Sequence, residues 1–136
     1  MKAENELRLS LKKEWFEMTK AGVKSEDYRE LTPYWCNRFL MYKGQIKSTK
    51  WWSFEMRDDL HLYGELGFIN WALKHVNLTF IEFPTNIMTS GYPKSGDKDR
   101  IIKFEHAGIE IRTGNPDWGA EPGKLYFVIK HGKRIL

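Results

Sequence analysis

The spacing of apolar residues changes its period twice before residue 30, and this limits the fold more than any other feature of the chain. Leu7, Leu9 and Leu11 alternate with Arg8 and Ser10, the two-residue repeat of a strand with one buried face. Leu11, Trp15 and Met18 then fall at i, i+4 and i+7, the spacing of an amphipathic helix. Gly22 stops that helix, because glycine enters the left-handed region without a side-chain clash and lets the chain turn at once. The segment that follows, Gly-Val-Lys-Ser-Glu-Asp-Tyr-Arg, presents Lys24, Asp27 and Arg29 from a new strand. The opening is therefore strand, helix, strand, with cations and acids gathered at the second corner.

A chain of 136 residues suits one domain with one core, and 41% hydrophobic with 29% charged residues is ordinary globular usage. No apolar run approaches the roughly 18 residues that span a bilayer, and the N-terminus is polar, so the expectation is a cytoplasmic protein with no membrane contact. Cys36 is the sole cysteine, which excludes an intrachain disulfide and a multi-cysteine metal site. His61, His75, His106 and His131 are scattered without metal-ligand spacing, so neither a metal nor another cofactor is expected. Gly64-Glu65-Leu66-Gly67 lacks the strand and lysine of a phosphate-cradling loop.

Beyond the corner, Thr32-Pro33 reads as a helix start with Thr as cap, and Trp35, Cys36, Phe39 and Leu40 form its buried stripe. Gly44 to Lys50 reads as a loop. Trp52, Met56, Leu60 and Tyr63 resume helical spacing, as do Leu66, Ile69, Leu73 and Val76, with Phe68, Trp71 and His75 as a second stripe. Residues 33–76 thus read as a helical insertion. From Leu78 the pattern is β: Leu78–Phe83, Asn86–Thr89, Arg100–His106, Ile109–Arg112 and Leu125–Lys130, punctuated by Gly, Pro and Asp.

The net charge of +4 is uneven: basic residues exceed acidic ones in the first fifty positions and after residue 91, whereas 51–91 is acidic. Basic ends paired in one sheet offer a footprint for a phosphate backbone; a normally solvated surface gives the same count. Most of the twenty aromatic residues follow core stripes. Trp51 and Trp118 do not, and Trp118 reads either as a plug for the end of a barrel or as a ring over a cleft. Tyr92 with Lys94, Lys98 and Arg100 is the best segment for backbone contact with a nucleic acid.

Gly22-x-Lys24-x-x-x-x-Arg29 after the first helix, the Ser90-Gly91-Tyr92 turn and the ending Trp118-Gly119-Ala120-Glu121-Pro122-Gly123-Lys124-Leu125-Tyr126-Phe127-Val128-Ile129 resemble the ASCH-domain family of the PUA-like superfamily, in the form found in bacteria and their phages. The resemblance implies an α+β fold: a PUA-like curled β-barrel of about five to six mixed strands with flanking helices and a helical insertion, all in one domain over 1–136. It also implies a cleft at the Gly-x-Lys corner suited to RNA or a modified nucleoside. One branch, similar in a Gly-x-Lys-x-x-Thr-x-Arg motif, removes acetyl from N4-acetylcytidine with its lysine and threonine. Here the lysine position is Lys24, the arginine Arg29, and the threonine position is occupied by Asp27. An ionised Asp accepts hydrogen bonds and cannot replace a hydroxyl nucleophile without a change of mechanism.

Three functions fit. The first is an RNA- or modified-nucleotide-binding module using Lys24, Arg29, Tyr92, Lys94, Lys98, Arg100 and Trp118. The second is a small hydrolase, an amidohydrolase of an acylated nucleoside or a ribonuclease, with Lys24, Asp27 and Arg29 in its active site. The third is an accessory factor that meets a protein partner through the aromatic insertion at 51–63. The residues themselves also read as a solvated strand with weak cross-strand ion pairs.

Overall fold

The computed structural model describes residues 5–63 and 77–136, apart from the side chains of 57–63. The fold is α+β, and the chain divides into two compact units, one from Glu30 to Ile81 and the other from the strands and helix on either side of it. The second unit is a five-stranded mixed sheet, curled in the manner of a PUA-like barrel, built from β1 (Leu7–Leu11), β2 (Glu26–Arg29), β5 (Thr85–Ser90), β6 (Ile101–Thr113) and β7 (Leu125–Arg134) in the order β1-β5-β6-β7-β2. β1 runs parallel to β5, and every other pairing is antiparallel.

Alternation decides what each strand buries. Leu7, Leu9 and Leu11 of β1, Met88 of β5, Ile102, Phe104 and Ile109 of β6, and Phe127 and Ile129 of β7 are all buried. The register places Asp27 opposite Ile129 and Arg29 opposite Phe127, so both belong to this inner face. Tyr28, opposite Val128, points the other way and packs with Ala120, Tyr126 and Val128 in a smaller outer cluster. Helix α1 (Lys13–Lys20) lies against β5 and buries Phe16 and Thr19, not the Leu11, Trp15 and Met18 stripe: Leu11 ends β1, and Trp15 and Met18 are half-buried on the neighbouring face. Its end is as the sequence suggests: Gly22 has φ +77°, and the backbone N–H groups of Val23 and Lys24 both donate to the carbonyl of Met18. The residue that carries the first cation is thereby tied to the last turn of the helix.

In the ladder of β6 and β7, Phe104 faces Arg134, His106 faces His131 and Ile109 faces Ile129. The step from Phe104 to His106 is two residues against three on β7, and the next step is three against two. Two bulges of opposite sense therefore bracket the histidine pair and cancel. Gly108, at φ +109°, sits in one. Gly132 sits in the other, where an added Cβ would lie 3.1 Å from the carbonyl oxygen of Glu105. Each extra residue reverses the in-out alternation, which is how both His106 and Ile109 turn inward from one strand.

In the first unit, α2 (Pro33–Phe39) starts where expected, with Thr32 Oγ1 accepting from the Trp35 N–H at 3.4 Å. Leu40, read as the end of the helical stripe, instead opens β3 (Leu40–Tyr42), because it pairs with Phe80 of β4 (Leu78–Phe80) in a short antiparallel ribbon. α3 (Thr49–Tyr63) begins after Ser48, whose Oγ accepts from the Trp51 N–H. It packs on α2, burying Trp52 and Met56, with Cys36 Sγ 3.9 Å from Met56 Sδ. Burial pushes the Cys36 thiol up to about 12, which removes it from chemistry at neutral pH. The stripe of Leu66, Ile69, Leu73 and Val76 with Phe68, Trp71 and His75 lies outside the described residues, as does the Gly64–Gly67 segment. Arg100–His106 and Ile109–Arg112, read as two strands, are one, since the glycine bulge bends β6 without ending it.

Candidate functional site

Lys24 is 3% exposed, Asp27 2% and Asn86 0%, among leucines, isoleucines and phenylalanines. Burying a charge is costly unless it is paired and hydrogen-bonded, so the contacts of these groups define the site. The Lys24 ammonium donates to Asp27 Oδ1 and, at 2.8 Å, to the carbonyl of Glu26. It also lies 5.9 Å from the centre of the Tyr28 ring. The second Asp27 oxygen, Oδ2, is 2.7 Å from His131 Nε2. Beyond His131 the chain continues through Asn86, whose Nδ2 is 2.9 Å from His131 Nδ1 and whose Oδ1 is 2.6 Å from His106 Nδ1. Five polar side chains, one each from four strands and Lys24 from the loop before β2, thus form one continuous line, Lys24–Asp27–His131–Asn86–His106.

Aromatic rings hold the two imidazoles. Phe104 stacks on His131 with ring centres 4.8 Å apart, and Phe83 meets His106 edge to face at 5.5 Å. Both histidines are half-buried as whole residues, and the His131 side chain is 2% exposed. Burial lowers the Lys24 pKa, with the Asp27 charge working against the fall. Burial alone would raise the Asp27 carboxyl, but the His131 hydrogen bond and the Lys24 charge outweigh it and hold it below the ordinary value. Asp27 is therefore an ionised acceptor inside the sheet, and Lys24 is neutralised where it stands.

Arg29 has a different position. Its Nη1 donates to the carbonyl of Tyr28 at 2.8 Å and its Nη2 to that of Ser10 at 3.0 Å. Ser10 belongs to β1 and Arg29 to β2, the first and last strands in the sheet order, so the guanidinium spans the seam of the curl. Glu26 turns to the outer face, where Arg112 grips both of its carboxylate oxygens at 2.5 and 3.0 Å and Tyr28 donates to it at 2.7 Å.

The residues expected to contact a nucleic acid fall into two groups. Tyr92 is 95% exposed, and Lys94, Lys98 and Arg100 are exposed beside it on the 91–100 loop. That loop leaves the far end of β5 from Asn86, five residues or about 16 Å along the strand. Asn86 and the loop are thus apart, whereas Arg29 comes near the start of the loop, since Ser10, whose carbonyl accepts from Arg29, donates through Oγ to the Gly91 carbonyl at 2.9 Å. Trp118 is half-buried in a 3-10 turn, Pro116–Trp118, beside Gly119, against whose backbone the Trp15 ring packs. Trp51 packs against Tyr42 and Trp52.

Asn86, His106 and His131 escaped sequence reasoning because 20 and 25 residues separate them and no spacing rule joins them. The signal was the glycines: His106-Ala107-Gly108 and His131-Gly132 place a bulge former next to each histidine in a strand. Among the described residues, no three His, Cys, Asp or Glu converge as a metal site, and no helix is long and apolar enough to cross a membrane. No family model matches the chain, and no curated protein or solved structure matches it.

Proposed function

We propose that the sheet-bearing unit takes RNA or a modified nucleoside, with the 91–100 loop holding the phosphate backbone and the buried polar line serving the base. The observation that carries this reading is the contrast in solvation and pairing between the two. The loop offers exposed cations beside an exposed ring, the combination that tracks a single strand and stacks a base. The Gly-x-Lys corner, by contrast, already spends its ammonium on Asp27 and so is suited to polar recognition in a dry setting, not to phosphate. The resemblance to the ASCH-domain family points to the same ligand class.

Hydrolysis of a group carried on the base is the second reading. It is favoured by one observation: His106 ends the line, half-buried, with Nδ1 held by Asn86 and Nε2 without a hydrogen-bond partner among the described residues. A panel of modified nucleosides and short single-stranded RNAs, followed by thermal shift and by product analysis, tests both. Stabilisation by RNA that falls with salt supports the binding reading, since ligand stabilisation tracks affinity. A new product that disappears in His106→Gln supports hydrolysis. A panel without stabilisation or product overturns both.

A further inference from the structure

The hydrogen-bond line can be read proton by proton from a single backbone atom. Asn86 Nδ2 lies 3.1 Å from the carbonyl oxygen of Lys130, which accepts and never donates. The atom facing that oxygen must therefore be the amide NH2, which fixes the orientation of Asn86. The same NH2 faces His131 Nδ1, so this nitrogen accepts and carries no proton. His131 then bears its proton on Nε2, which is the donor that the ionised Asp27 requires. On the other side, Asn86 Oδ1 accepts, so His106 Nδ1 must be the donor. His106 Nε2 has no hydrogen-bond partner among the described residues and is not one of their fully buried, unpaired polar atoms.

We infer that His106 is the acid–base group of this site, held by Asn86 as the Nδ1–H tautomer so that the Nε2 lone pair faces a ligand. Asn86, His131 and Asp27 are positioning residues. They act through His106, and the paired bulges exist to put both rings on the inner face. A ligand seated there meets an acceptor for an N–H or O–H, which the amino or imino edge of a base provides. That ligand class rests on the proposed function; the tautomer does not.

Imidazole nitrogen NMR on the full chain with labelled histidines decides the matter, because the protonated and unprotonated nitrogens of a neutral ring resonate far apart. Single His→Gln variants assign the signals. At neutral pH the expected result is protonated Nδ1 and bare Nε2 for His106, and the reverse for His131. A bare Nδ1 in His106, or a doubly protonated ring, overturns the inference. Asn86→Leu should shift His106 toward the Nε2–H form; should that variant not fold, the wild-type spectrum still decides. Acylation of histidines by diethyl pyrocarbonate with peptide mapping gives an independent readout, with His106 modified ahead of His131. Reaction at His131 first counts against the assignment. Shielding of His106 by single-stranded RNA supports the ligand class, and absence of shielding with the expected tautomer sinks that class alone.

Discussion

Two parts of the sheet-bearing unit carry the same residue types, lysine, arginine and an aromatic ring, and use them in opposite ways. At the Gly22 corner, Lys24 is enclosed, paired with Asp27 and stationed beneath Tyr28. On the 91–100 loop, Lys94, Lys98 and Arg100 stand in water with Tyr92 fully displayed. The difference is one of solvation. A charge in water is available to a phosphate and adds little to stability, whereas a charge inside the sheet is committed and must be matched.

The largest effect should come from breaking the match. Asp27→Ala leaves the Lys24 ammonium buried without its carboxylate and His131 Nε2–H without its acceptor, and should cost about 3–5 kcal/mol of unfolding free energy in urea titrations. Adding Lys24→Met should restore a large part of that loss, since an apolar side chain replaces the stranded ion. Additive losses in the double variant would show that the two residues are not coupled.

Next in size is the seam. Arg29→Met removes charge-assisted bonds to the carbonyls of Tyr28 and Ser10 and should destabilise by about 1.5–3 kcal/mol. Arg29→Lys should not rescue it, because a single ammonium does not reproduce the planar fork that reaches two strands. A change in RNA affinity with no change in stability would return Arg29 to the ligand.

Tyr92→Ala should leave folding within about 0.5 kcal/mol of wild type, as surface substitutions do. The same variant should weaken single-stranded RNA binding by about 1–3 kcal/mol, the worth of one stacked base. Equal affinity of variant and wild type would remove the ring from the interface.

The smallest effect is a pH dependence. Burial holds the His106 pKa below its ordinary 6.5, with the Lys130 charge adding to the fall. The folded protein thus refuses a proton that the unfolded chain accepts. Stability is complete above pH 6.5 and declines as pH falls through the folded value. His106→Gln should flatten that slope in denaturation curves recorded between pH 7 and 5. A slope that survives the substitution would locate the titration elsewhere.

What the sequence disclosed follows from the range of each signal. The opening strand, the Gly22 stop and the Thr32 cap depend on neighbours a few residues apart and stand where the pattern puts them, and the helix between them is present but buries Phe16 and Thr19 in place of the Leu11, Trp15 and Met18 stripe. Lys24, Asp27 and Arg29 were singled out, but their burial was not, because Asp27 and Tyr28 alternate between a polar interior and an aromatic exterior, a pattern that also describes an exposed strand. The histidines were harder still. His106 and His131 meet only because β6 and β7 pair over thirteen and ten residues with two cancelling slips. Such a register is a property of the whole sheet. Local hydrophobic spacing cannot encode it, and only the glycines beside each histidine hint at it.

The salt dependence of single-stranded RNA binding tests the division between interior and loop most directly. The measurement compares wild type, the Lys24→Met/Asp27→Leu pair and the Lys94→Ala/Lys98→Ala/Arg100→Ala triple variant. The loop variant should lose slope in a plot of log affinity against log salt, by about 0.7 for each phosphate contact removed, while the interior pair keeps the wild-type slope. A slope lost in the interior pair and retained in the loop variant would contradict the account.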